Sequence, residues 1–308
     1  MNIITLTLNP AIDVHLYCEH LRLGEDNPYV LKRRDSGGKG VNVSRALHAN
    51  GQESVCFVAL GEENAEAYLA PLYALGMNIV SKSVKGRVRE NINIHTADGD
   101  TVLAGEGACV DICALSDIKN AVLPLICEGT YICFCGRIPP SSDKEEIIKV
   151  LKEFKEKGAR LILDSRSFDC SELAAIHPYL IKPNREELCE LMGYERVEKE
   201  GIMASAIRLS REISDSVLLT LGKDGAIYAS GEGTYRIYAP DVLSVSTTGA
   251  GDSSIAGLLS AIYRGSPVSE MLTEAIAFGS AACMTEGTLP PKPSDIAELR
   301  EKVRVEKL

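Results

Sequence analysis

The sequence predicts an α/β fold in which a largely parallel sheet carries helices on both faces. Three observations support this. Short apolar runs rich in β-branched residues alternate along the chain with amphipathic stretches of helical period, which is the rhythm of strand–helix–strand units. Those runs are apolar enough to be strands covered on both sides. The chain has 308 residues, 45% hydrophobic and 25% charged. A chain of that size buries about three-quarters of its unfolded surface without disulfide or metal staples.

The elements follow in order. Residues 3–8, 55–60, 131–135, 161–163, 180–182 and 217–221 are the expected buried strands. The clearest helix is 143–157, where Ile147, Ile148, Val150, Leu151 and Phe154 form one stripe. Lys155 and Lys157 stand in its last turn before Gly158, as the helix dipole and a glycine stop prefer. Two segments break the rhythm. Residues 12–35 are polar and turn-rich; residues 87–107 hold the alternating run Asn91-Ile92-Asn93-Ile94 and then Asp98-Gly99, a type I′ hairpin signal. Both are expected as exposed antiparallel strands outside the main sheet, forming a small β lid over the C-terminal ends of its strands. The expected organisation is one domain: a core of about 1–11, 36–86 and 108–308, and lid segments of about 12–35 and 87–107. Pro290-Pro291-Lys292-Pro293 marks a turn before a last helix, 294–303.

Composition excludes several classes. Asp and Glu number 43 against 33 Lys and Arg, a net charge of −10 with no basic block. Neither nucleic acid nor an anionic membrane is expected as a partner. The first ten residues have no basic region and their apolar run stops at Pro10, so no signal peptide is expected; the apolar stretches are too short for a spanning helix. The 10 cysteines contain no C-x-x-C, and Cys56, Cys127, Cys133 and Cys135 fall in apolar surroundings, which reads as buried, reduced thiols of a cytoplasmic protein. The 5 histidines are scattered and do not suggest structural zinc.

Several segments carry chemistry. In Thr248-Gly249-Ala250-Gly251-Asp252-Ser253 a glycine-rich turn feeds an apolar helix, whose first amides make an anion site. A carboxylate beside that site, Asp252, can accept a hydroxyl proton during phosphoryl transfer; equally, it can be an ordinary helix-start acid. Gly37-Gly38-Lys39-Gly40-Val41-Asn42 is not a Walker A loop, since Gly40 stands where Ser or Thr would, and no full G-x-G-x-x-G occurs. Its glycines allow close approach of backbone to a ligand and Asn42 can bond a hydroxyl, although a tight turn into a helix accounts for it equally. Asp13 follows the first strand, where α/β sheets bind ligands, and can hold sugar hydroxyls or form an Asx turn. Lys182, Asn184 and Glu187 leave a strand and open a helix. They suit phosphates and a hydrated magnesium ion, or are plain helix-start residues. Thr220 to Ala226 joins two strands, and Arg89 in the lid is a phosphate clamp or a solvated strand residue.

Taken together and in this order, the segments resemble the ribokinase/PfkB carbohydrate kinase family along nearly the whole chain. The carrying residues are Asn9-Pro10-Ala11-Ile12-Asp13, Gly37-Gly38-Lys39-Gly40-Val41-Asn42-Val43-Ser44-Arg45, Arg89-Glu90-Asn91, Lys182-Pro183-Asn184, Leu219-Thr220-Leu221-Gly222 and Thr248-Gly249-Ala250-Gly251-Asp252. The opening Asn-Pro-Ala-Ile-Asp points to the phosphofructokinase-like branch, which includes fructose-1-phosphate, tagatose-6-phosphate and fructose-6-phosphate kinases. The resemblance implies a ribokinase-like three-layer α/β/α sandwich and ATP-dependent phosphorylation of a phosphorylated ketohexose, fructose 1-phosphate above all. It also implies Asp252 as base and the amides of Gly249, Ala250 and Gly251 as the anion hole. Asp13, Gly38, Lys39, Asn42, Arg89 and Arg137 would serve the sugar phosphate. Lys182, Asn184, Thr220, Gly222 and Gly225 would serve ATP, and Glu187 with Asn184 would hold magnesium through water. A potassium-like monovalent cation and a homodimer through the lid are common in the family. Two positions depart from the branch. Pro28 stands where Arg is usual after Gly24-Glu25-Asp26-Asn27, and Gly136-Arg137-Ile138-Pro139 replaces Gly-Ser-Leu-Pro. Arg137 can take over the phosphate, or the acceptor differs. A kinase of another sugar or polyol, and a catalytically silent sugar-binding regulator on the same fold, are the other readings.

Overall fold

The structure is a computed structural model that describes residues 2–140, 142–194 and 199–308. Among the described residues the strands are β1 (Ile3–Thr7), β2 (Ala11–Tyr17), β3 (Val30–Gly37), β4 (Val55–Gly61), β5 (Ile79–Val84), β6 (Arg89–Thr96), β7 (Gly99–Ala104), β8 (Tyr131–Cys135), β9 (Arg160–Asp164), β10 (Leu180–Ile181), β11 (Ser216–Thr220), β12 (Ala226–Ser230), β13 (Gly233–Tyr238) and β14 (Arg304–Lys307). The helices are α1 (Lys39–Ala49), α2 (Ala65–Ala74), α3 (Ile112–Val122), α4 (Lys144–Glu156), α5 (Cys170–Ile176), α6 (Arg185–Met192), α7 (Lys199–Glu212), α8 (Ala250–Tyr263), α9 (Val268–Ala282) and α10 (Pro293–Arg300). Ten strands make the main sheet in the order β14-β13-β12-β11-β10-β9-β8-β1-β4-β5. From β5 to β11 neighbours run parallel; β12, β13 and β14 are added antiparallel.

Alternation along each strand builds the three layers. Ile4, Leu6, Ile132, Phe134, Leu161 and Leu163 meet apolar residues of α3 to α7 on one face. Ile3, Tyr131, Cys133, Cys135 and Ile162 meet those of α1, α8, α9 and α10 on the other. Helix α4 shows the local logic. The Asp143 side chain accepts the Glu146 amide at 3.1 Å, Ile147, Val150, Leu151 and Phe154 are buried, and Gly158 at φ 105° reverses the chain. Because the central strands are parallel, Thr7, Cys135, Asp164, Ile181 and Thr220 all end at one edge of the sheet.

A second sheet, β3-β2-β6-β7, is joined to the first through a small core of Ile12, Val14, Cys56, Val58, Leu60, Tyr68 and Leu72. The expectation of purely antiparallel strands here is corrected. β2–β3 and β6–β7 are antiparallel, but β2 and β6 run parallel, from Ala11 opposite Arg89 to Tyr17 opposite His95. Both strands start at the main sheet and run outward, so neither needs a turn to reach the other. The β6–β7 turn is at Ala97 and Asp98, and among the described residues the one non-glycine with positive φ is His177, so the turn is not type I′. Near the C-terminus the helix is Pro293–Arg300, shorter than 294–303, and β14 follows it. That strand carries one apolar residue, Val305, which left no periodic signal. Cys56, Cys133 and Cys135 are buried as expected, whereas Cys127 is exposed.

Candidate active site

At the strand-end edge, α8 begins without a side-chain cap: Gly249 is its N-cap at φ 81°, and apart from a long 3.4 Å bond from the Ala250 amide to Thr247 O the first amides are available to an anion. Gly251 leaves room for a lysine at this turn. A methyl there would lie 2.8 Å from Lys182 Nζ, so the ammonium is seated directly against the backbone of the first helical turn. One residue on, Asp252 is buried, and its Oδ2 accepts from Asn42 Nδ2 at 2.8 Å. Burial, reinforced by the charge of Asp164, pushes the Asp252 carboxyl up to about 6, against the pull of Lys39, Asn42 and Lys182.

Asp164 was not among the residues expected at the site. It ends β9 with its side chain 1% exposed and pairs with two ammoniums, Lys39 Nζ at 3.0 Å from Oδ1 and Lys182 Nζ at 3.4 Å from Oδ2. Burial alone would raise its carboxyl, but Lys182 and Lys39 outweigh it and hold the group below the ordinary range. Burial works against the Lys39 ammonium too, yet Asp164, Asp252 and Glu187 hold its pKa above the usual lysine value. The signal for Asp164 was its place: a carboxylate directly after an apolar parallel strand, where such sheets bind ligands.

The next strand end brings Lys182, Asn184 and Glu187. Asn184 Oδ1 accepts from the Glu187 amide and Glu187 Oε2 from the Asn184 amide, both at 2.9 Å, which is a capping box opening α6. The helix-start reading of these residues is therefore realised. The remaining Glu187 oxygen, Oε1, accepts from Arg166 Nε at 2.9 Å, a second residue that the sequence reading missed. Thr220 is bridged to Asn184, its amide donating to Pro183 O at 3.0 Å, and Gly222 follows in a short 3-10 turn, Gly222–Asp224. Gly225 has a packing reason of its own, because any Cβ there would run into Ile237 O of β13. A cleft of about 290 Å³ opens beside Lys182, Glu187 and Arg166.

The small sheet delivers the remaining residues. Asn91 Nδ2 donates to Asp13 Oδ1 at 2.8 Å across the parallel β2–β6 pair, and along β6 Arg89 Nη1 donates to Asn91 Oδ1 at 3.2 Å. Burial raises the Asp13 carboxyl, against Asn91, His15 and Arg89. Burial likewise lowers the Arg89 guanidinium, against Asp13, and the charge of Arg137 pushes the same way as burial. Arg137 itself is exposed, just beyond β8. Gly38 caps α1 at φ 121° against Thr7 and Pro10. Seven buried side-chain polar atoms among the described residues have no hydrogen-bond partner, and five of them are on Thr7, Asn9, Asn42, Arg89 and Asp164 around this edge. Buried polar atoms are otherwise almost always satisfied, so their concentration here marks a place built to meet a polar ligand.

The pfkB family carbohydrate kinase model matches residues 9–295. The chain is 28% identical to the 1-phosphofructokinase of Bacillus subtilis, over 92% of this chain and 93% of that protein. It is 26% identical to a tagatose-6-phosphate kinase of Staphylococcus epidermidis, over 93% of each. The structure of phosphofructokinase-2 from Escherichia coli in complex with substrates and products superposes with a TM-score of 0.91 at 24% identity, covering 98% of this chain and 99% of that one. A possible 1-phosphofructokinase from Thermotoga maritima gives 0.85 at 22% identity over the full length of both. The fold is the ribokinase-like α/β sandwich with its small second sheet, and the chain belongs to the pfkB family of carbohydrate kinases.

Proposed function

We propose that the protein transfers the γ-phosphoryl group of ATP to a hydroxyl of a phosphorylated ketohexose, with fructose 1-phosphate as acceptor and fructose 1,6-bisphosphate as product. One observation carries the reading: a buried carboxylate poised near 6, Asp252, stands at an uncapped helix start beside two lysines that share Asp164. A base with that affinity is ionised at neutral pH and still basic enough to assist a hydroxyl.

In this reading Asp252 takes the acceptor proton as the hydroxyl oxygen bonds to the γ-phosphorus. The bond from phosphorus to the β,γ-bridging oxygen breaks, and its electron pair leaves with ADP. The amides at Gly249, Ala250 and Gly251, with Lys182 packed on Gly251, face the developing charge. Asp13, Gly38 and Asn42 hold the sugar hydroxyls, and Lys39 stands between acceptor and phosphoryl group. Arg89 and Arg137 grip the acceptor's own phosphate, which compensates for Pro28. Asn184, Thr220, Gly222 and Gly225 line the nucleotide side. The kinase family implies ATP with a divalent metal. The donors fit magnesium: Glu187 with Asn184 would hold it through water, while Asp164 at the neighbouring strand end stays paired with Lys39 and Lys182. When bound, magnesium offsets phosphate charge.

Three further assignments belong to the same proposal. Potassium is the monovalent cation we assign near the anion hole, supported by the Escherichia coli neighbour described in complex with potassium. A homodimer through the small sheet is supported by its exposed Tyr17, Val30, Leu31, Val102 and Leu103, with Tyr29 just before β3. The compartment we assign is the cytoplasm; no described helix is long and apolar enough to cross a membrane. A screen of sugar phosphates and free sugars with MgATP tests the core reading. Turnover of fructose 1-phosphate above the free sugars is expected, and turnover confined to unphosphorylated sugars or nucleosides would overturn it.

A further inference from the structure

Arg166 sits just after β9 and reaches to the first turns of α6. Its Nε donates to Glu187 Oε1 at 2.9 Å, while Nη2 lies 3.4 Å from Glu186 Oε2 and Nη1 3.7 Å from Glu190 Oε1. Of these three carboxylates only Glu187 is inward, its side chain 12% exposed against 82% and 60%. The other Glu187 oxygen is committed to the Asn184 amide, so Oε1 is the one a ligand would have to take. Arg166 occupies it. The same guanidinium lines the 290 Å³ cleft together with Lys182 and Lys144.

Arg166 is 29% exposed and divided among three carboxylates, two of them exposed, so water reaches its side of the pair with Glu187 and can take part in its exchange. A hydrated divalent ion would compete for the same carboxylate oxygen, which a guanidinium shared among three carboxylates holds only in part. A displaced guanidinium in this cleft would lie beside Lys182, and its planar fork matches phosphate oxygens two at a time.

We infer that Arg166 is an exchangeable counter-ion: it holds Glu187 Oε1 in the metal-free protein, yields that oxygen on metal loading, and turns to the phosphates of the nucleotide. The inference rests on the proposed role of Glu187 in holding the metal. Arg166 is thus first a positioning residue for Glu187 and then a phosphate contact.

The test uses the full chain and manganese(II) alone, with free Mn²⁺ read by electron paramagnetic resonance. Arg166→Gln removes the competitor, so Mn²⁺ should bind about tenfold more tightly, with Arg166→Lys between it and the wild type. In the same Arg166→Gln protein the KM for MgATP should rise about tenfold while kcat changes by less than about threefold. The Arg166 Nε–H resonance, identified by its absence in Arg166→Lys, should shift when magnesium and a non-hydrolysable ATP analogue are added to the wild type. Glu187→Gln should weaken Mn²⁺ binding. If it does while Arg166→Gln leaves Mn²⁺ affinity unchanged or lower, the exchange is refuted and the metal role of Glu187 stands. If Glu187→Gln leaves Mn²⁺ affinity unaltered, the metal role itself falls.

Discussion

Replacing Asp252 with asparagine should cut activity steeply and stabilise the protein, both because the buried carboxyl is lost. The wild-type carboxyl is buried and pushed from 3.8 to about 6. An acid whose folded pKa is raised contributes most below its unfolded pKa, and that contribution is lost as pH rises through the folded value. Between pH 4 and pH 6 the native state therefore gives up roughly 3 kcal/mol, at about 1.36 kcal/mol for each pH unit crossed. The amide of the Asp252→Asn side chain is neutral at every pH and can still present an oxygen to Asn42 Nδ2. Urea unfolding at pH 8 should show the variant more stable by up to about 3 kcal/mol, and near pH 4 the two proteins should coincide. With fructose 1-phosphate and MgATP, kcat should drop about 10²–10⁴-fold, the span of a lost general base. Equal stability at both pH values would refute the claim that burial raises this carboxyl. A kcat within about tenfold of wild type would refute its role as base.

Further outcomes follow from neighbouring groups. Asp164→Asn removes a like charge and frees Lys39 and Lys182 to favour ionised Asp252, so the acid limb of kcat/KM should move down by about one pH unit even if the maximum falls; a limb that stays or rises would contradict the network. Arg137→Ala and Arg89→Ala should each raise the KM for the sugar phosphate about 10- to 100-fold while leaving any turnover of the free sugar alone, as measured by initial rates. Gly225→Ala forces a methyl into Ile237 O of β13 and should cost about 1–3 kcal/mol of stability in urea.

Much of this was legible because it is local. Apolar runs marked the parallel strands, and glycine clusters marked the starts of α1 and α8, where the backbone must come close to something. Asp164 and Arg166 escaped because a lone acid at the end of an apolar strand and a lone arginine after it carry no glycine cluster or spacing of their own. The partners of Asp164 lie on Lys39 and Lys182, and the Lys39 contact spans 125 positions of sequence. Asn184 and Glu187 show a different limit: a capping box and a metal-binding pair use the same residue types at the same spacing, so both readings of them were open. The parallel pairing of β2 with β6 was invisible because hairpin signals speak only for chain neighbours.

That pairing has a consequence for how the chain can change over time. No turn joins β2 to β6, so the alignment of Asp13 with Asn91 is set where both strands leave the main sheet. A single residue inserted before Asp13 in β2 or before Asn91 in β6 would throw that residue to the opposite face and detach the pair. Lengthening the connection between Tyr17 and Val30, or the turn at Ala97 and Asp98, adds chain only at the far rim. Insertions should therefore accumulate at that rim, where they alter what the rim meets, while Asp13 and Asn91, the first of them proposed to hold the acceptor, stay in register.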